Sequence, residues 1–213
     1  MSRFDRAALS FVPAVLALGL LVAPKASLAG PGYVNFMIGQ KVFDSDDWDP
    51  IDKQTSFGVE GAFGPAHWPV HLDAYLARSS KSKDATFNGV QGTLEGTTYE
   101  FGFGANKTWV SKKLYPYVSA GIVHAKVDVT VRQSGTSGSD EESGFGGYGG
   151  AGVFYRVGSA FNIGGALRYS AVDVDFNSFT TAIGGVPIEG QTVAAGGVSF
   201  GVLLGWGWPP TRK

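Results

Sequence analysis

The clearest pattern of apolar and polar positions lies near the C-terminal end of the chain, in residues 193–208. Large apolar side chains alternate there with mostly small residues, which is the period of a β-strand and not of a helix. The large residues are Phe200, Val202, Leu204, Trp206 and Trp208. A strand facing water would carry polar side chains at the alternate positions. The pattern therefore predicts a strand with its large face against hydrocarbon and its small face inside a closed barrel, because only closure leaves no unpaired edge in a bilayer.

Seven further segments show a similar alternation, so the chain is predicted to contain eight strands. The seven are residues 33–43, 55–63, 70–78, 94–107, 115–132, 145–156 and 161–176. Long polar segments at 44–54, 79–93, 133–144 and 177–191 alternate with short turns near 64–69, 110–113 and 157–159. In outer-membrane barrels the short turns are periplasmic and the long loops extracellular. The sequence thus predicts an all-β fold, a closed antiparallel eight-stranded transmembrane β-barrel.

The longest alternating segment, residues 115–132, contains one apolar and one polar set of side chains. The apolar set is expected to face lipid: Val123, Ala125, Val127, Val129 and Val131. The polar set is expected to face the lumen: His124, Lys126, Asp128, Thr130 and Arg132. The length of the segment also predicts that it projects beyond the bilayer.

Seven charged residues fall on faces assigned to the lumen. They are Glu60, Asp73, Glu100, Lys126, Asp128, Arg156 and Arg168. An eight-stranded barrel has an interior only wide enough for side chains to fill it, and charges in such a space must be paired. These four acids and three bases are therefore predicted to form an internal salt-bridge stack in a poorly conducting lumen.

Aromatic residues gather near the strand ends assigned to the periplasm. They are Tyr33, Phe63, Trp68, Phe103, Trp109, Tyr115, Tyr117, Tyr155, Phe161, Trp206 and Trp208. An aromatic belt at a membrane interface is typical of membrane-spanning barrels. This clustering predicts an interfacial girdle.

The N-terminal segment is predicted to be a signal peptide, residues 1–29. Arg3 and Arg6 precede an apolar run, and the small residues Ser27 and Ala29 flank Leu28 at the expected cleavage site. The competing interpretation, a membrane anchor, is disfavoured because the run is short and contains Pro13. The barrel is then predicted to occupy residues 30–208, with a short tail at 209–213.

Composition narrows the function classes. Removing residues 1–29 removes a net charge of +2 and changes the formal charge of the chain from −1 to −3, which argues against a nucleic-acid partner. The chain has no cysteine, so neither disulfides nor thiolate metal sites are available. Apart from the signal segment, no run approaches the ~20 apolar residues of a helical span. A helical membrane protein is therefore not expected.

Two groups of residues could carry chemistry inside such a barrel. His71 and Asp73 lie two positions apart on one face, and His124, Lys126 and Asp128 line another, which leaves hydrolysis or metal binding conceivable. The structural interpretation is preferred, because lumen positions must be polar or small in any case. We therefore expect no catalytic, cofactor or metal site.

The chain resembles the small eight-stranded outer-membrane barrels, the family of the outer membrane protein A transmembrane domain. The sharpest likeness is Ser199-x-Gly201-x-x-Leu204-x-Trp206, which looks like the signal by which the barrel-assembly machinery recognises its clients. The resemblance implies an exported, monomeric protein of the bacterial outer membrane, in contact with lipid and lipopolysaccharide. This chain departs from the pattern by continuing beyond the final aromatic residue.

Three functions are compatible with this sequence. The preferred one is a non-enzymatic barrel with a structural role in envelope integrity and loops for surface contacts. The others are a narrow small-solute pore and a lipid-modifying enzyme, although the His-Ser-carboxylate motif of lipid A deacylase barrels is not visible. A soluble lipocalin-type barrel is the competing fold, and it would need the apolar faces turned inward.

Overall fold

A computed structural model describes residues 32–43, 48–87, 90–133, 136–176 and 191–208. The predicted signal peptide at 1–29, the tail at 209–213 and nearly all of the loop at 177–191 lie outside these residues. The described strands are β1 (Gly32–Val42), β2 (Lys53–Phe63), β3 (His71–Phe87), β4 (Val90–Thr108), β5 (Leu114–Gln133), β6 (Thr136–Val157), β7 (Phe161–Phe176), β8 (Gln191–Ala194) and β9 (Gly197–Trp208). No helix within this part of the chain is both long and apolar enough to cross a membrane.

The strands form a closed antiparallel barrel. Each of β1 to β7 pairs with the next, β7 pairs with β8 and β9, and β9 pairs with β1 so that Phe36 lies opposite Leu204. The short β8 and β9 are one wall strand with a local break, where the N–H groups of Ala195 and Gly196 both donate to the carbonyl of Val172 (2.8 and 3.1 Å). The barrel therefore has eight wall strands, and the prediction of fold class is confirmed.

The two ends of the barrel differ. One end, here called the turn end, carries the short connections at residues 64–70, 109–113 and 158–160, together with Gly32 and Trp208. The opposite end, the loop end, carries the connection after β1 and the tips of the β3–β4 and β5–β6 hairpins. By the general rule for outer-membrane barrels, the turn end is expected to be the periplasmic end.

Two of the predicted long loops are mostly strand. Pairing continues through Lys83 opposite Leu94 in the β3–β4 hairpin, and through Val129 opposite Asp140 in the β5–β6 hairpin. The prediction of loops at 79–93 and 133–144 was wrong because main-chain hydrogen bonds can extend a hairpin into water without any apolar pattern in its side chains. The apolar band is about 25 Å tall and needs about ten residues per strand, so the 20 residues of β5 and 22 of β6 extend well beyond it.

The predicted faces of the upper half of β5 are reversed. Val123, Ala125 and Val127 point inward and are at most 1% exposed, whereas Ile122 points outward and is 65% exposed. His124 shares that outer face, where its ring lies 4.7 Å from that of Phe145. Above Ile122 the outward side chains of β5 are polar and the inward ones apolar, which is the arrangement that water outside the barrel favours and lipid does not.

Ten of the eleven predicted girdle residues divide into two sets, and Trp208, which is partly exposed, belongs to neither. Seven of them are exposed on the outer surface, as an interfacial girdle requires: Phe63, Trp68, Phe103, Trp109, Tyr155, Phe161 and Trp206. Tyr33, Tyr115 and Tyr117 instead are buried inside the barrel. The prediction that these three belong to the girdle was wrong, because alternation along a strand places aromatic residues of opposite parity on opposite faces.

A closed barrel predicts heat-dependent mobility in detergent gels. Because every wall strand has a neighbour on both sides, the membrane part of the sheet offers no edge from which detergent can unravel it. We expect unboiled and boiled samples of the purified protein to run at different apparent masses. A single mobility in both, together with a helical circular dichroism spectrum, would contradict the fold.

Candidate functional site: a filled barrel interior

The interior of the barrel consists of three layers along its axis. An apolar cluster fills the loop end, a network of ion pairs and hydrogen bonds occupies the middle, and aromatic side chains fill the turn end. Two inward glycines make room for rings that fold across the lumen. A Cβ added at Gly102 would overlap the ring of Tyr75, and one at Gly152 would overlap that of Tyr117.

The first ion pair of the middle layer joins Glu60 on β2 to Arg168 on β7. Nη2 of Arg168 donates to Oε2 of Glu60 at 2.8 Å, and both side chains are buried. The Tyr117 hydroxyl donates to the second carboxylate oxygen at 2.5 Å. The guanidinium of Arg168 also stacks on the ring of Tyr75, 3.7 Å from its centroid. Both charges therefore have partners that offset the loss of water.

The second ion pair joins Lys41 on β1 to Glu100 on β4. Nζ of Lys41 donates to Oε1 of Glu100 at 2.9 Å and to the carbonyl of Ala195 at 3.2 Å. The hydroxyl of Ser170 donates to the same carboxylate oxygen at 2.7 Å. Lys41 was missing from the predicted charge cluster. The alternation of β1 does place it on the inner face with Asn35, and that was the available signal.

Asp73 is a buried acid whose described partners are neutral. The hydroxyl of Tyr148 donates to its Oδ2 at 2.5 Å, and Nδ2 of Asn106 lies 3.5 Å from its Oδ1. The same Asn106 donates to the hydroxyl of Tyr33 at 2.9 Å. This network connects the middle layer to the aromatic layer below it.

Arg156 is a buried base close to the turn end. Its Nε donates to Oδ1 of Asn162 at 3.0 Å, and Nη1 lies 3.4 Å from the carbonyl oxygen of Trp208. Its guanidinium stacks on Tyr115, 4.2 Å from the ring centroid. Together with Lys41 and Arg168 it balances the three buried acids of the described chain in formal charge.

Lys126 and Asp128 do not belong to this interior, and the prediction that placed them there was wrong. Lys126 forms a salt bridge with Glu141 (2.6 Å) on the outer face of the β5–β6 hairpin, where both side chains are exposed. The hydrogen bond between them raises the pKa of Lys126 and lowers that of Glu141. Asp128 lies opposite Glu141 on the same face. The cause is that the odd-numbered residues of β5 face inward along the whole strand, so the even-numbered Lys126 and Asp128 face outward.

The apolar cluster at the loop end covers the ion pairs. It contains Phe43, Trp48, Ile51, Tyr75, Val123, Ala125, Val127, Tyr148, Val172, Val174 and Ala195. Phe43 packs against Trp48 with ring centroids 4.8 Å apart. The indole N–H of Trp48 donates to the carbonyl of Ala194 at 2.7 Å, which holds Trp48 against the end of β8. The first predicted loop thus contributes to the interior.

The aromatic layer at the turn end closes the other side. It contains Tyr33, Met37, Ala62, Tyr115, Tyr117, Phe154 and Leu203. Phe154 stacks on Tyr115 at 5.1 Å with nearly parallel rings and lies 4.9 Å from Tyr33. The ion pairs of the middle layer therefore lie between two layers of closely packed apolar side chains.

The residues considered for catalysis do not assemble into a reactive group. His124 lies on the outer face beside Phe145, away from the interior. Asp73 is engaged by Tyr148 and Asn106. In the part of the chain that the structure describes, no group of three or more potential metal ligands occurs. The arrangement neutralises charge and fills space.

The predicted assembly signal lies on the closing strand β9. Ser199 faces the interior and is buried, and Gly201 lies on the same inner face, opposite Gly39 of β1. Leu204 and Trp206 point outward, 40% and 56% exposed, and Trp206 contacts Phe36 and Phe161. The described residues therefore show the small and polar positions inside and the apolar positions towards lipid.

A charge at Trp206 is expected to impair assembly. Trp206→Lys places an ammonium in or near the apolar band, which costs about 1 to 4 kcal/mol depending on depth. We expect less heat-modifiable protein in the membrane fraction. Ser139→Lys is the control, because Ser139 is exposed on the projecting part of β6, and it should assemble normally. Equal losses in the two variants would refute the assigned topology.

Comparison with known proteins agrees with this architecture. The family model described as outer membrane protein beta-barrel domain matches residues 11–202. The chain belongs to this family. Its members are outer-membrane barrels, and membership implies the bacterial outer membrane as the location of this chain.

Two solved barrels share the fold at low sequence identity. The outer membrane protein OprG from Pseudomonas aeruginosa is 11% identical with a TM-score of 0.60, covering 85% of this chain and 97% of its own. The attachment invasion locus protein Ail of Yersinia pestis is 13% identical with a TM-score of 0.54, covering 84% and 99%. None of the curated proteins compared with the chain matches it. These neighbours support the family's fold and do not assign a more specific role.

Proposed function

We propose that this family member is a non-enzymatic, poorly conducting outer-membrane barrel that contributes to envelope integrity and presents its loop end for surface contacts. The observation that carries the proposal is the filled interior. Two buried ion pairs lie between an apolar cluster and an aromatic layer. A solute crossing the barrel would have to displace all three layers, which disfavours the pore alternative.

The projecting hairpins support a role in surface contacts. The pairing of β6 with β7 begins at residue 146. Within the described chain, the part of β6 before this residue pairs with β5 alone, so its other edge has no neighbouring strand. An edge of this kind presents N–H and C=O groups to an added strand. Its side chains are small, polar and acidic from Thr136 to Gly144, which would favour a partner with basic side chains.

Export and membrane contacts complete the proposal. The signal peptide would direct the chain to the periplasm, and the closing strand would present Leu204 and Trp206 to the barrel-assembly machinery. The outer face, with exposed residues such as Phe57, Ile122 and Leu167, would contact lipid and lipopolysaccharide directly. We expect a monomer, because the barrel closes on itself without a second copy.

The proposal is tested in cells that lack the gene. They should become more sensitive to detergents and bulky antibiotics, while their lipid A mass profile stays unchanged. A variant in which residues 128–141, the paired tip of the β5–β6 hairpin, are replaced by a short turn should restore the barrier but not binding to surface partners. A lipid A species that disappears with the gene and returns with it would replace this proposal with the enzyme alternative.

A further inference from the structure

Arg156 lines a small cleft at the turn end of the barrel. The cleft has a volume of about 30 Å³ and is lined by Gly32, Tyr33, Ala62, His71, Thr108, Val110, Tyr115, Phe154 and Arg156. By the usual measure of internal cavities this is room for about two water-sized groups. Val110 belongs to the exposed β4–β5 turn, so the cleft lies at the mouth of the barrel and not in the ionic middle layer.

Arg156 differs from the other buried bases in the partners of its charge. Lys41 and Arg168 each have a carboxylate within 3 Å. Among the described residues, no carboxylate oxygen lies within 4.0 Å of the Arg156 guanidinium, the distance that defines an ion pair. Arg156 is nevertheless buried, with only 5% of its surface exposed. A buried cation without a counter-ion is unfavourable. The Tyr115 ring, the Asn162 amide and the Trp208 carbonyl are its described partners, and all three are neutral.

The surroundings complement a carboxylate group. Arginine binds carboxylates through its charged N–H donors, and His71 lines the same cleft. Tyr33, Tyr115 and Phe154 form apolar walls that reduce competition from water. The volume admits the two oxygens of a carboxylate and leaves the rest of a larger ligand outside.

From these observations we infer that the turn-end cleft is a carboxylate-binding site with Arg156 as its anchoring residue. The ligand is a molecule on the periplasmic side that carries a carboxylate, either a free small acid or the C-terminus of a peptide. This site goes beyond the proposed function and does not depend on it, because neither envelope integrity nor surface contacts require a periplasmic ligand.

The test follows the arginine Nε–H resonances of the ¹⁵N-labelled full chain in lipid nanodiscs. Acetate and N-acetylalanine should produce a saturable shift of the Arg156 resonance, whereas the neutral acetamide and N-acetylalaninamide should not. Tighter binding of N-acetylalanine than acetate indicates a peptide terminus, and equal binding indicates a free acid; both support the site. The absence of any saturable shift in the wild type would overturn it.

Variants separate the site from general effects of salt. A second measurement follows the binding of a fluorophore-labelled N-acetylalanine and its displacement by the unlabelled compound. Binding should be at least about tenfold weaker in Arg156→Gln, because the charge-assisted pair between the arginine and the carboxylate is lost. Lys112→Gln, which removes an exposed charge from the neighbouring turn, should bind as the wild type does. Unchanged binding in Arg156→Gln would refute the assignment. If that variant does not fold, the wild-type comparison of acetate with acetamide decides alone.

Discussion

Replacing Arg168 with alanine is expected to lower the free energy of unfolding by about 3 to 5 kcal/mol, less if water enters the lumen. The substitution leaves the carboxylate of Glu60 buried with only the Tyr117 hydroxyl as a described partner. It also removes the guanidinium that stacks on Tyr75. Urea unfolding of the barrel in lipid vesicles, followed by tryptophan fluorescence, measures the change. The same variant should leak ions, because the middle layer loses its largest cation.

Two further variants show whether the loss comes from the ion pair. Lys112→Ala removes a cation from an exposed turn and should change neither stability nor leakage. In the double variant Glu60→Gln with Arg168→Met, both charges of this ion pair are removed together, so it should recover a large part of the stability. If the double variant lost as much stability as the single variants Glu60→Gln and Arg168→Met lose together, packing, and not charge, would dominate at this position.

Replacing Val127 with aspartate is expected to prevent stable folding, with a loss of more than about 4 kcal/mol. Val127 is 0% exposed and belongs to the apolar cluster at the loop end, so the new carboxylate would be buried among apolar side chains. Unboiled gel mobility and urea unfolding report the effect.

The adjacent Asp128 provides the matched control. Asp128→Val exchanges the same two residue types in the opposite direction, one position along β5, and it should change stability by no more than about 0.5 kcal/mol because the site is on the water-facing outer surface. If Asp128→Val were the damaging change and Val127→Asp were tolerated, β5 would have the faces that its sequence pattern first predicted.

The membrane part of the fold was predictable because lipid and lumen impose opposite polarity on alternate residues. Phe36, Phe57 and Leu167 face outward, and the alternation of their strands predicts this. The same rule fails above Ile122, because the alternation persists while the solvent outside changes from lipid to water. Periodicity fixes the two faces of a strand but not which of them is the inner one. The position of the bilayer boundary is the missing information.

The composition of the interior was predictable in part, and its pairing was not. Alternation assigns Glu60, Glu100 and Arg168 to inner faces, where the structure also places them. Which base meets which acid depends on strands far apart in the chain, since Arg168 and Glu60 are separated by 108 positions and Lys41 and Glu100 by 59. The loop-end cluster was missed for a similar reason. Trp48 lies in an irregular polar segment whose course across the barrel has no periodic signal.

Conductance of single barrels in a planar lipid bilayer tests the central claim most directly. The wild type should insert without producing large, stable current steps, because the apolar cluster, the ion pairs and the aromatic layer fill the lumen in series. Arg168→Ala, reconstituted in the same way, should show small, irregular leakage, which would show that the bilayer detects a partly opened lumen. Large and stable steps from the wild type, or passage of uncharged sugars in liposome swelling, would contradict the filled interior and favour a pore.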